Sequence, residues 1–459
     1  MEATEEKRSI GRYSGGDLLK GIDINGSYQE MILSNQEIYL EDYLETVRRV
    51  ADSNAKYKGK PVPFLFNPLF FSPEEEEHFK EIVEGITAIG NKVTDRFIAD
   101  PEYRKSFGYP SFIEEMILRE NKYGVHAPIG RFDIFFNDIG DYKFCELNTD
   151  GSSAMNEDNT LARILLESNA LKAFSEGYSL ANRELIDSWV YESLKLYRRW
   201  KGSDHTPNTA IVDFTESGTS AEFIEFQKAY ERLGLSCIIA DPRELEFRDG
   251  ALYRDDYKID LVYRRIVTFE LIQKANEIPH FIEAYMADAM CTVGTIRSQI
   301  IHNKIFFKKL HDEDTLEFMT KPEKAFIKKH IPFTGILGND EKILRDVIEN
   351  KDKYIIKPMD MNASQGVYVG KDQSNESWER VVRDSFDRDY LYQEFVDPPK
   401  RSFLVANEGG FSIEEFKAIV GLFSYNESYA GIYTRLSKDN IISGVTNYFT
   451  APNIIAYKK

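Results

Sequence analysis

Residues 131–148, RFDIFFNDIGDYKFCELN, decide the fold. Apolar and polar residues alternate on both sides of the turn-forming run 137–141, and this pattern predicts two strands joined in a β-hairpin. With residues 138–141 as the loop, Asp133 faces Glu146 and Arg131 faces Asn148. Two carboxylates opposed across a strand pair repel each other unless a cation lies between them, and carboxylate and amide oxygens suit Mg²⁺. The hairpin therefore indicates either a magnesium site or a solvated sheet face that carries two acids.

Length and composition limit the class of protein. The 459 residues have room for about three structural units, and a hydrophobic fraction of 42% excludes global disorder. The net charge of −18 would repel a phosphate backbone, so we expect no nucleic-acid partner. No stretch approaches the ~20 apolar residues of a membrane span. The charged N-terminus lacks the apolar core of a secretory signal, so we expect no membrane partner. Three cysteines without metal-ligand spacing and only 7 histidines predict a reduced, cytoplasmic protein without a histidine-based zinc site or a Ser-His-Asp triad.

Periodicity predicts how the elements follow one another along the chain. Apolar spacings of three and four residues predict helices over 41–55, 73–97 and 112–119, and a helical region from 154 to about 197. Residues 209–265 alternate between strands (209–214, 236–240, 259–263) and a helix (221–233). This βαβ order predicts a parallel sheet. Strand patterns over 353–357, 367–370, 390–396 and 416–423 predict an antiparallel unit that holds a nucleotide.

Two of these strands carry features that suit ATP. Lys357 ends the first, and the loop KPMDMNASQG (357–366) that follows can fold over a triphosphate, offering backbone N–H groups while the lysine neutralises charge. The loop is not a Walker A motif, because GxxxxGK[ST] is missing. The strand YLYQEFV (390–396) can pair its backbone with an adenine ring, with Gln393 or Glu394 near the ribose or the amino group. Taken singly, such a lysine is more often a surface residue and such a strand an ordinary one.

The parallel unit carries two candidate sites for a substrate carboxylate. The loop TESGTS (215–220) opens a helix, and a helix N-terminus favours an anion. Arg264 and Arg265 end the third strand and can clamp a carboxylate in bidentate fashion. For this arginine pair a structural salt bridge is the favoured alternative.

The hairpin, the lysine loop and the strand 390–396, in this order, resemble the ATP-grasp carboxylate–amine ligases. In an ordinary ATP-grasp enzyme the acidic metal ligands follow the two phosphate-binding lysines, whereas here RFD and FCELNTDGSS precede Lys304 and Lys357. This order resembles the circularly permuted branch, which includes glutathionylspermidine synthase and the eukaryotic type of glutathione synthetase. The pattern R-x-D followed by E-x-N matches glutathionylspermidine synthase in residue type and order. The similarity covers residues 110–170 and 205–459.

The resemblance implies an α/β, circularly permuted ATP-grasp fold with a parallel βαβ substrate-side (pre-ATP-grasp) domain. It divides the chain into a helical region with the metal-ligand hairpin (1–200), the βαβ domain (201–300) and the nucleotide-binding region with its phosphate-loop lid (301–459). It also implies Mg²⁺ on Asp133, Glu146 and Asn148, and two catalytic arginines: Arg131, which would stabilise the reaction intermediates, and Arg435, which would lie near the γ-phosphate. The residues that would contact ATP are Lys304, Lys357, Asp360, Asn362, Ser364, Gln365, Gly366, Gln393, Glu394, Phe395 and Val396.

The function that the resemblance implies is that of an ATP-dependent ligase. A carboxylate attacks the γ-phosphate of ATP to give an acyl phosphate and ADP, and an amine then displaces phosphate to form an amide. The expected substrates are small molecules, with glutathione or a peptide as the acid and a polyamine as the amine. Two departures stand out: the stretch ASQG has a single glycine where many relatives have a cluster, and the first 140 residues contain no cysteine, so no cysteine amidase domain is expected. The alternatives are a non-catalytic ATP-binding regulatory protein on the same fold and a phosphotransferase with a stable phosphorylated product.

Overall fold

The computed structural model describes residues 20–217, 219–360, 364–444 and 447–459. The helices in these ranges are α1 (Gly21–Ser34), α2 (Gln36–Asp52), α3 (Pro73–Ala99), α4 (Pro101–Lys105), α5 (Ser111–Leu118), α6 (Met155–Leu166), α7 (Asn169–Phe174), α8 (Ile186–Lys201), α9 (Ser220–Arg232), α10 (Thr268–Gln273), α11 (Pro279–Met286), α12 (Gln299–His302), α13 (Ile305–Lys309), α14 (Glu313–Leu316), α15 (Lys321–His330), α16 (Glu341–Glu349) and α17 (Asn375–Ser385). None of these helices is long and apolar enough to cross a membrane.

The strands in the same ranges are β1 (Lys56–Tyr57), β2 (Lys60–Pro61), β3 (Leu69–Phe71), β4 (Ile129–Asp138), β5 (Asp141–Asn148), β6 (Tyr178–Ala181), β7 (Thr209–Val212), β8 (Cys237–Ala240), β9 (Glu246–Arg248), β10 (Ala251–Arg254), β11 (Tyr257–Ile259), β12 (Leu261–Arg264), β13 (Cys291–Val293), β14 (Thr334–Ile336), β15 (Tyr354–Pro358), β16 (Tyr368–Val369), β17 (Tyr390–Glu394), β18 (Lys400–Asn407), β19 (Gly410–Tyr425), β20 (Ser428–Ser437), β21 (Phe449–Ala451) and β22 (Asn453–Lys458).

One antiparallel sheet carries the decisive hairpin. Its strands lie in the order β21-β20-β19-β4-β5, and β18 pairs with the first half of β19 while β4 pairs with the second half. Strands β4 and β5 pair Asp133 with Glu146 and Arg131 with Asn148, so the predicted register is confirmed at these positions. The pairing shifts by one residue after Asp133 and shifts back before Asp138. The sheet joins residues from the first and the last of the three predicted regions.

The strand predicted over 416–423 belongs to this sheet, and its assignment to the nucleotide-holding unit is wrong. It forms the middle of β19, whose second half pairs with β4. Val420 faces Ile134 and Leu422 faces Phe132, and all four side chains are buried. Matched apolar pairs of this kind stabilise the pairing of two strands that lie far apart in the sequence. Local alternation identifies a strand but does not identify its partner.

Helix α3 lies against this sheet and shows how the sequence sets the ends of an element. Pro73 occupies the first turn, and Ser72 and Glu75 form a capping box in which each side chain accepts a hydrogen bond from the other's backbone N–H. The ring of Phe79 lies 4.9 Å from that of Phe136 on β4. The predicted helix 73–97 is confirmed, with its end at Ala99.

The predicted parallel unit is also confirmed. Its strands lie in the order β13-β12-β7-β8 with every neighbouring pair parallel, and α9 connects β7 to β8. All four residues of β7 are buried, as is typical of a parallel sheet covered on both faces. A small antiparallel sheet, β11-β10-β9, is inserted between β8 and β12. Strand β12 ends at Arg264, so the two candidate arginines leave the sheet at its carboxyl edge.

A second antiparallel sheet, in the order β14-β17-β15-β16, carries Lys357 and Gln393. Its pairing confirms the antiparallel arrangement predicted for 353–357, 367–370 and 390–396. Helices α16 and α17 contribute to a separate small core on this sheet. Trp378 is fully buried there, and its indole N–H donates to the carbonyl oxygen of Val347 at 2.8 Å.

The predicted helical region from 154 to about 197 is wrong at one place. Strand β6 interrupts it between α7 and α8, and pairs antiparallel with the C-terminal strand β22, which in turn pairs with β3. A four-residue strand has little stability of its own, and here its partner supplies the backbone hydrogen bonds. Because that partner lies at the other end of the chain, local periodicity does not reveal it.

Candidate functional site

Four adjacent strands place a row of positions on one face of the six-stranded sheet. Glu146 on β5 pairs with Asp133 on β4, Asp133 pairs with Gly421 on β19, and Gly421 pairs with Tyr433 on β20. Residues opposite each other on neighbouring strands point to the same face. A cavity of about 290 Å³ is bounded by this face, by the segment after β5 and by the sheet that carries Lys357.

Most of the predicted site residues that the structure describes line this cavity. They are Arg131, Glu146, Asn148, Lys304, Lys357, Ser364, Gln393, Glu394, Phe395, Val396 and Arg435. Of the other described members of the predicted site, Asp133, Asp360, Gln365 and Gly366 are not part of the wall, and Asn362 lies outside the described residues. The fold thus gathers the predicted hairpin, both lysines and the predicted adenine segment around one space.

Arg131 and Asp133 form a buried ion pair. Nε and Nη2 of Arg131 donate to Oδ1 and Oδ2 of Asp133 at 2.7 and 2.9 Å, and the two residues are 5% and 3% exposed. Two parallel hydrogen bonds fix the orientation of a guanidinium more firmly than one. Nη1 donates to the carbonyl oxygen of Ser153 at 3.0 Å. Arg131 is therefore held at the cavity wall by one partner on its own strand and by a second in the segment after β5.

Gly421 makes room for this ion pair, although nothing in the sequence analysis singled it out. A Cβ atom at this position would lie 2.7 Å from Cδ of Arg131 and 2.8 Å from Oδ1 of Asp133. Real Cβ atoms do not approach other atoms so closely, so the position requires glycine. A glycine inside an apolar strand pattern often marks the close approach of another group, and that signal could have identified it.

The three predicted magnesium ligands are adjacent to one another. Nδ2 of Asn148 lies 3.1 Å from Oδ2 of Asp133 and 3.1 Å from Oε1 of Glu146, so the two carboxylates converge on one point. Rotation of the Asn148 amide would turn its oxygen toward that point. No group of three or more His, Cys, Asp or Glu side chains in the described ranges is arranged to hold a metal. A site here would use two carboxylates and an amide oxygen, a donor set that fits Mg²⁺.

Two lysines control the charge of Glu146. Burial alone would raise the pKa of this carboxyl, but the positive charges of Lys304 and Lys357 outweigh burial and, with the hydrogen bond from Asn148, lower the pKa to about 2. Glu146 is therefore ionised at neutral pH. The same two lysines line the cavity, where an ammonium group can neutralise the charge of a phosphate.

Gln393 positions Lys357. Its Oε1 accepts a hydrogen bond from Nζ of Lys357 at 2.8 Å, and its Nε2 donates to Oγ1 of Thr334 at 2.9 Å. All three residues are buried. The side chain of Gln393, predicted to lie near a ribose or an amino group, thus contacts the lysine.

The predicted adenine segment and phosphate loop bound another part of the cavity. The backbone N–H groups of Glu394 and Phe395 each donate to a carbonyl oxygen of a neighbouring segment at 2.8 Å, which fixes the path of the chain after β17. Ser364 lines the cavity. Gly366 has a φ of +68°, and a Cβ there would lie 2.6 Å from the hydroxyl of Tyr390. The single glycine of the loop is therefore required by its backbone conformation.

Asp360, at the start of the phosphate loop, is hydrogen-bonded to helix α12. Its Oδ2 accepts a hydrogen bond from Nε2 of Gln299 at 2.8 Å. Burial raises the pKa of the Asp360 carboxyl, although the charges of His302 and Lys304 oppose this shift. In this arrangement Asp360 anchors the described end of the loop and does not reach the cavity wall.

The ring of Tyr433 lies beside Arg131 and Arg435, and its hydroxyl contacts a further carboxylate. The guanidinium of Arg435 lies 5.3 Å from the centre of the Tyr433 ring, and that of Arg131 lies 5.5 Å from it. The Tyr433 hydroxyl donates to Oε2 of Glu157. Burial would lower the pKa of Arg435, but the phenol and carboxylates beside it outweigh burial and raise the pKa. Neither Tyr433 nor Glu157 was predicted, because neither position belongs to a recognisable motif.

Arg264 and Arg265 hold the segment after β5, which confirms the structural alternative for this pair. The fully buried Arg264 side chain pairs with Oδ1 of Asp150 at 2.5 Å and donates to three backbone carbonyls. Arg265 donates to the carbonyl oxygen of Ser152 and pairs with Oε1 of Glu222 at 3.1 Å. Both arginines thus hold in place residues of the cavity wall, Asp150 and Ser152.

The loop 215–220, predicted as an anion site, has the donors of Thr215 and the charge of Glu216 engaged within the protein. The N–H and the hydroxyl of Thr215 both donate to Oδ2 of Asp241, at 3.0 and 3.1 Å. Glu216 in the same loop pairs with Arg243 and Lys274. Gly218 lies outside the described residues, and the described part of the loop is not in the cavity wall.

One solved structure agrees with this architecture. The solved structure of a glutathione synthetase-like effector from Globodera pallida, in its apo form, matches with a TM-score of 0.56 at 13% identity, covering 92% of this chain and 98% of that one. A gamma-glutamylcysteine synthetase candidate from Methylobacillus flagellatus KT matches with a TM-score of 0.39 at 10% identity, covering 80% of this chain and 85% of that one. None of the curated proteins matches the sequence.

The order of elements and the cavity define a circularly permuted ATP-grasp fold with a parallel βαβ domain on its substrate side. The family model described as glutathionylspermidine synthase pre-ATP-grasp matches residues 66–455. The chain belongs to this family.

Proposed function

We propose that the protein is an ATP-dependent ligase that joins a small-molecule carboxylate to an amine and forms an amide, ADP and phosphate through an acyl phosphate. The observation that carries the proposal is a single cavity whose wall contains two lysines, two arginines, an ionised glutamate and the segment 394–396 at the end of β17. Membership of the glutathionylspermidine synthase pre-ATP-grasp family supports a ligase role.

Each cationic group at the wall has a task in this reaction. Lys304 and Lys357 would neutralise the phosphates as negative charge moves onto the departing ADP. Arg131, held rigidly by its ion pair, would orient the substrate carboxylate and stabilise the charge of the intermediate. Arg435 would supply a second positive charge to the transferred phosphoryl group. The segment 394–396 at the end of β17 would hold the adenine.

Asp133, Glu146 and Asn148 would hold Mg²⁺, which would add positive charge at the phosphates. Asp133 can do this while it is paired with Arg131, because each carboxylate oxygen has more than one lone pair. The three side chains already converge on one point, as the shared contacts of Asn148 indicate.

The substrates that we propose first are glutathione and a polyamine such as spermidine. Both are named by the family, and the net charge of −18 favours a cationic partner. The free thiols of Cys145, Cys237 and Cys291 favour a reducing compartment, in line with a cytoplasmic enzyme.

The test is ATP turnover with Mg²⁺ against a matrix of acids and amines. The acids include glutathione, short peptides and amino acids, and the amines include spermidine. We expect ADP and phosphate to be released only when an acid and an amine are both present, with a product whose mass is their sum less water. A stable phosphorylated product would identify a phosphotransferase instead. ATP binding without turnover in any combination would favour the non-catalytic alternative.

A further inference from the structure

Four acidic side chains line the cavity in the part of the chain that the structure describes, and three of them have other roles. Glu146 belongs to the proposed metal site. Asp150 is paired with the buried Arg264. Glu394 lies in the proposed adenine segment. The fourth, Glu157, has no part in the reaction as described so far.

Glu157 presents a buried carboxylate to the cavity. It lies in the first turn of α6 and is 9% exposed. Its hydrogen-bond partner among the described residues is the hydroxyl of Tyr433, an uncharged group. The ion pairs of the described residues do not include it, which sets it apart from Asp150. A carboxylate held in this way retains lone pairs for a further donor.

Three tyrosines, Tyr57, Tyr433 and Tyr448, line the cavity together with Glu157. Tyr433 is hydrogen-bonded to Glu157, and Tyr448 interacts electrostatically with both Glu157 and Tyr57. Aromatic faces attract ammonium groups and also accommodate the methylene groups next to them. A carboxylate among tyrosines is therefore complementary to an alkylammonium ion and not to a second carboxylate.

We propose that Glu157 binds the amine substrate as its ammonium ion and accepts the proton that the nitrogen must lose before it attacks. This inference rests on the proposed ligase function and assigns its second substrate to a place in the cavity. The tyrosines would hold the alkyl part of that substrate.

The proposed step balances in atoms and electrons. The ammonium ion gives one proton to the Glu157 carboxylate and becomes a neutral amine. Its lone pair forms the C–N bond to the acyl carbon, and the C–O bond to phosphate breaks. The departing phosphate takes the electron pair of that bond and the second proton of the nitrogen.

The surroundings of Glu157 suit a proton acceptor. Burial raises the pKa of its carboxyl, against the hydrogen bond from Tyr433 and the charge of Arg435. A carboxylate with a raised pKa is a better base near neutral pH than an exposed one. The titratable and charged groups that face it are Tyr433 and Arg435 on β20, Arg131 on β4, Glu222 on α9, Asp158 on its own helix, and Tyr448.

The experiment compares two nucleophiles with Mg²⁺, ATP and glutathione. Hydroxylamine is uncharged near neutral pH and needs no base, and it traps an acyl phosphate as a hydroxamate. Spermidine is an ammonium ion that must lose a proton. For Glu157→Gln we expect hydroxamate formation within about twofold of wild type, and amide formation with spermidine lowered by about 100-fold or more. Glu167→Gln is the matched control, because this residue ends the same helix and its side chain is 57% exposed.

A second variant tests the same carboxylate without removing it. Tyr433→Phe keeps the ring but removes the hydroxyl that donates to Glu157, so the pKa of Glu157 should rise. The acid limb of the pH profile for spermidine ligation should then move to higher pH, while the profile with hydroxylamine stays in place. A merely structural role of Tyr433 would lower both rates without moving the limb.

The possible outcomes separate this inference from the proposed function. Equal losses with both nucleophiles in Glu157→Gln, or no loss with spermidine, would overturn the role of Glu157. Wild-type protein that makes the hydroxamate but never ligates spermidine would also overturn the ammonium site, while the ligase proposal would stand. Wild-type protein that makes neither product would overturn the proposed function with these substrates, and this inference with it.

Discussion

Replacing Gly421 with alanine tests whether the Arg131–Asp133 ion pair organises the site. The added Cβ would lie 2.7 Å from Cδ of Arg131, whereas ordinary van der Waals contact begins at 3.4 Å, so the arginine must retreat by about 0.7 Å. The strand itself cannot easily yield, because Val420 and Leu422 on either side are fully buried in the core. The strain therefore falls on the ion pair.

Both a stability cost and a rate cost follow from this displacement. Forcing an extra methyl group into a packed position costs about 1–3 kcal/mol. Removing a glycine from a strand returns about 0.5–1 kcal/mol. We therefore expect the free energy of unfolding to fall by about 1–2 kcal/mol. A catalytic guanidinium displaced by a large fraction of an ångström should lower kcat by about 10- to 100-fold.

Urea unfolding measures the stability, ADP release measures kcat, and calorimetry measures ATP affinity, which should stay unchanged because the proposed ATP contacts lie elsewhere. Gly177→Ala is the matched control, since a Cβ there meets nothing within 4 Å. Wild-type kcat and stability in Gly421→Ala would refute the reasoning. A loss of kcat that only follows a loss of ATP affinity would also refute it, because the effect would not then act through Arg131.

Three further predictions concern the charged groups. Lys357→Met should weaken ATP binding by about 10- to 100-fold because it removes a buried ammonium group from the proposed phosphate site. Calorimetry checks this with the exposed Lys342→Met as control, and unchanged affinity would place the phosphate site elsewhere. Glu146→Gln should abolish turnover in a protein that still folds, with a lowered urea midpoint because Lys304 and Lys357 lose their negative partner. Near-normal turnover would remove the metal assignment. Burial raises the pKa of Asp213 to about 7 from an ordinary value of 3.8, so between these values the folded state holds a proton that the unfolded state has lost. Stability should therefore fall as pH rises through this window. Urea unfolding at about pH 5 and about pH 8 should show a smaller loss for Asp213→Asn than for wild type, and an equal loss would contradict the assignment.

The sequence could predict those parts of the site that depend on strand alternation and on short loops. The register of Asp133 with Glu146 follows from one hairpin, because a tight turn fixes which residues face each other. The parallel unit follows from the order of its strands and helix, since parallel neighbours need a crossover connection. Lys357 could be recognised near the end of a strand, before a small-residue loop.

The sequence could not predict the contacts that depend on pairing between distant strands. Gly421 and Tyr433 reach the site only because β19 pairs with β4 and β20 pairs with β19. Periodicity shows that 416–423 is a strand with a buried face but leaves its neighbours open, and this led to the wrong sheet. Glu157 joins the site through Tyr433, so its position depends on the same long-range pairing.

The buried arginines show why residue type alone does not define a function. Arg264 and Arg131 both belong to strands and both pair with an aspartate. The Arg264 side chain is fully buried, and its remaining donors are used by backbone carbonyls, so no donor faces the cavity. Arg131 pairs through Nε and Nη2 and lies at the cavity wall, where Nη1 donates to the carbonyl oxygen of Ser153 in the segment after β5. The difference lies in what surrounds each guanidinium, and this is set by the pairing of β4 with β19 and of β12 with β7 and β13. We expect an arginine to act on a substrate only where it borders the cavity, as Arg131 does and Arg264 does not.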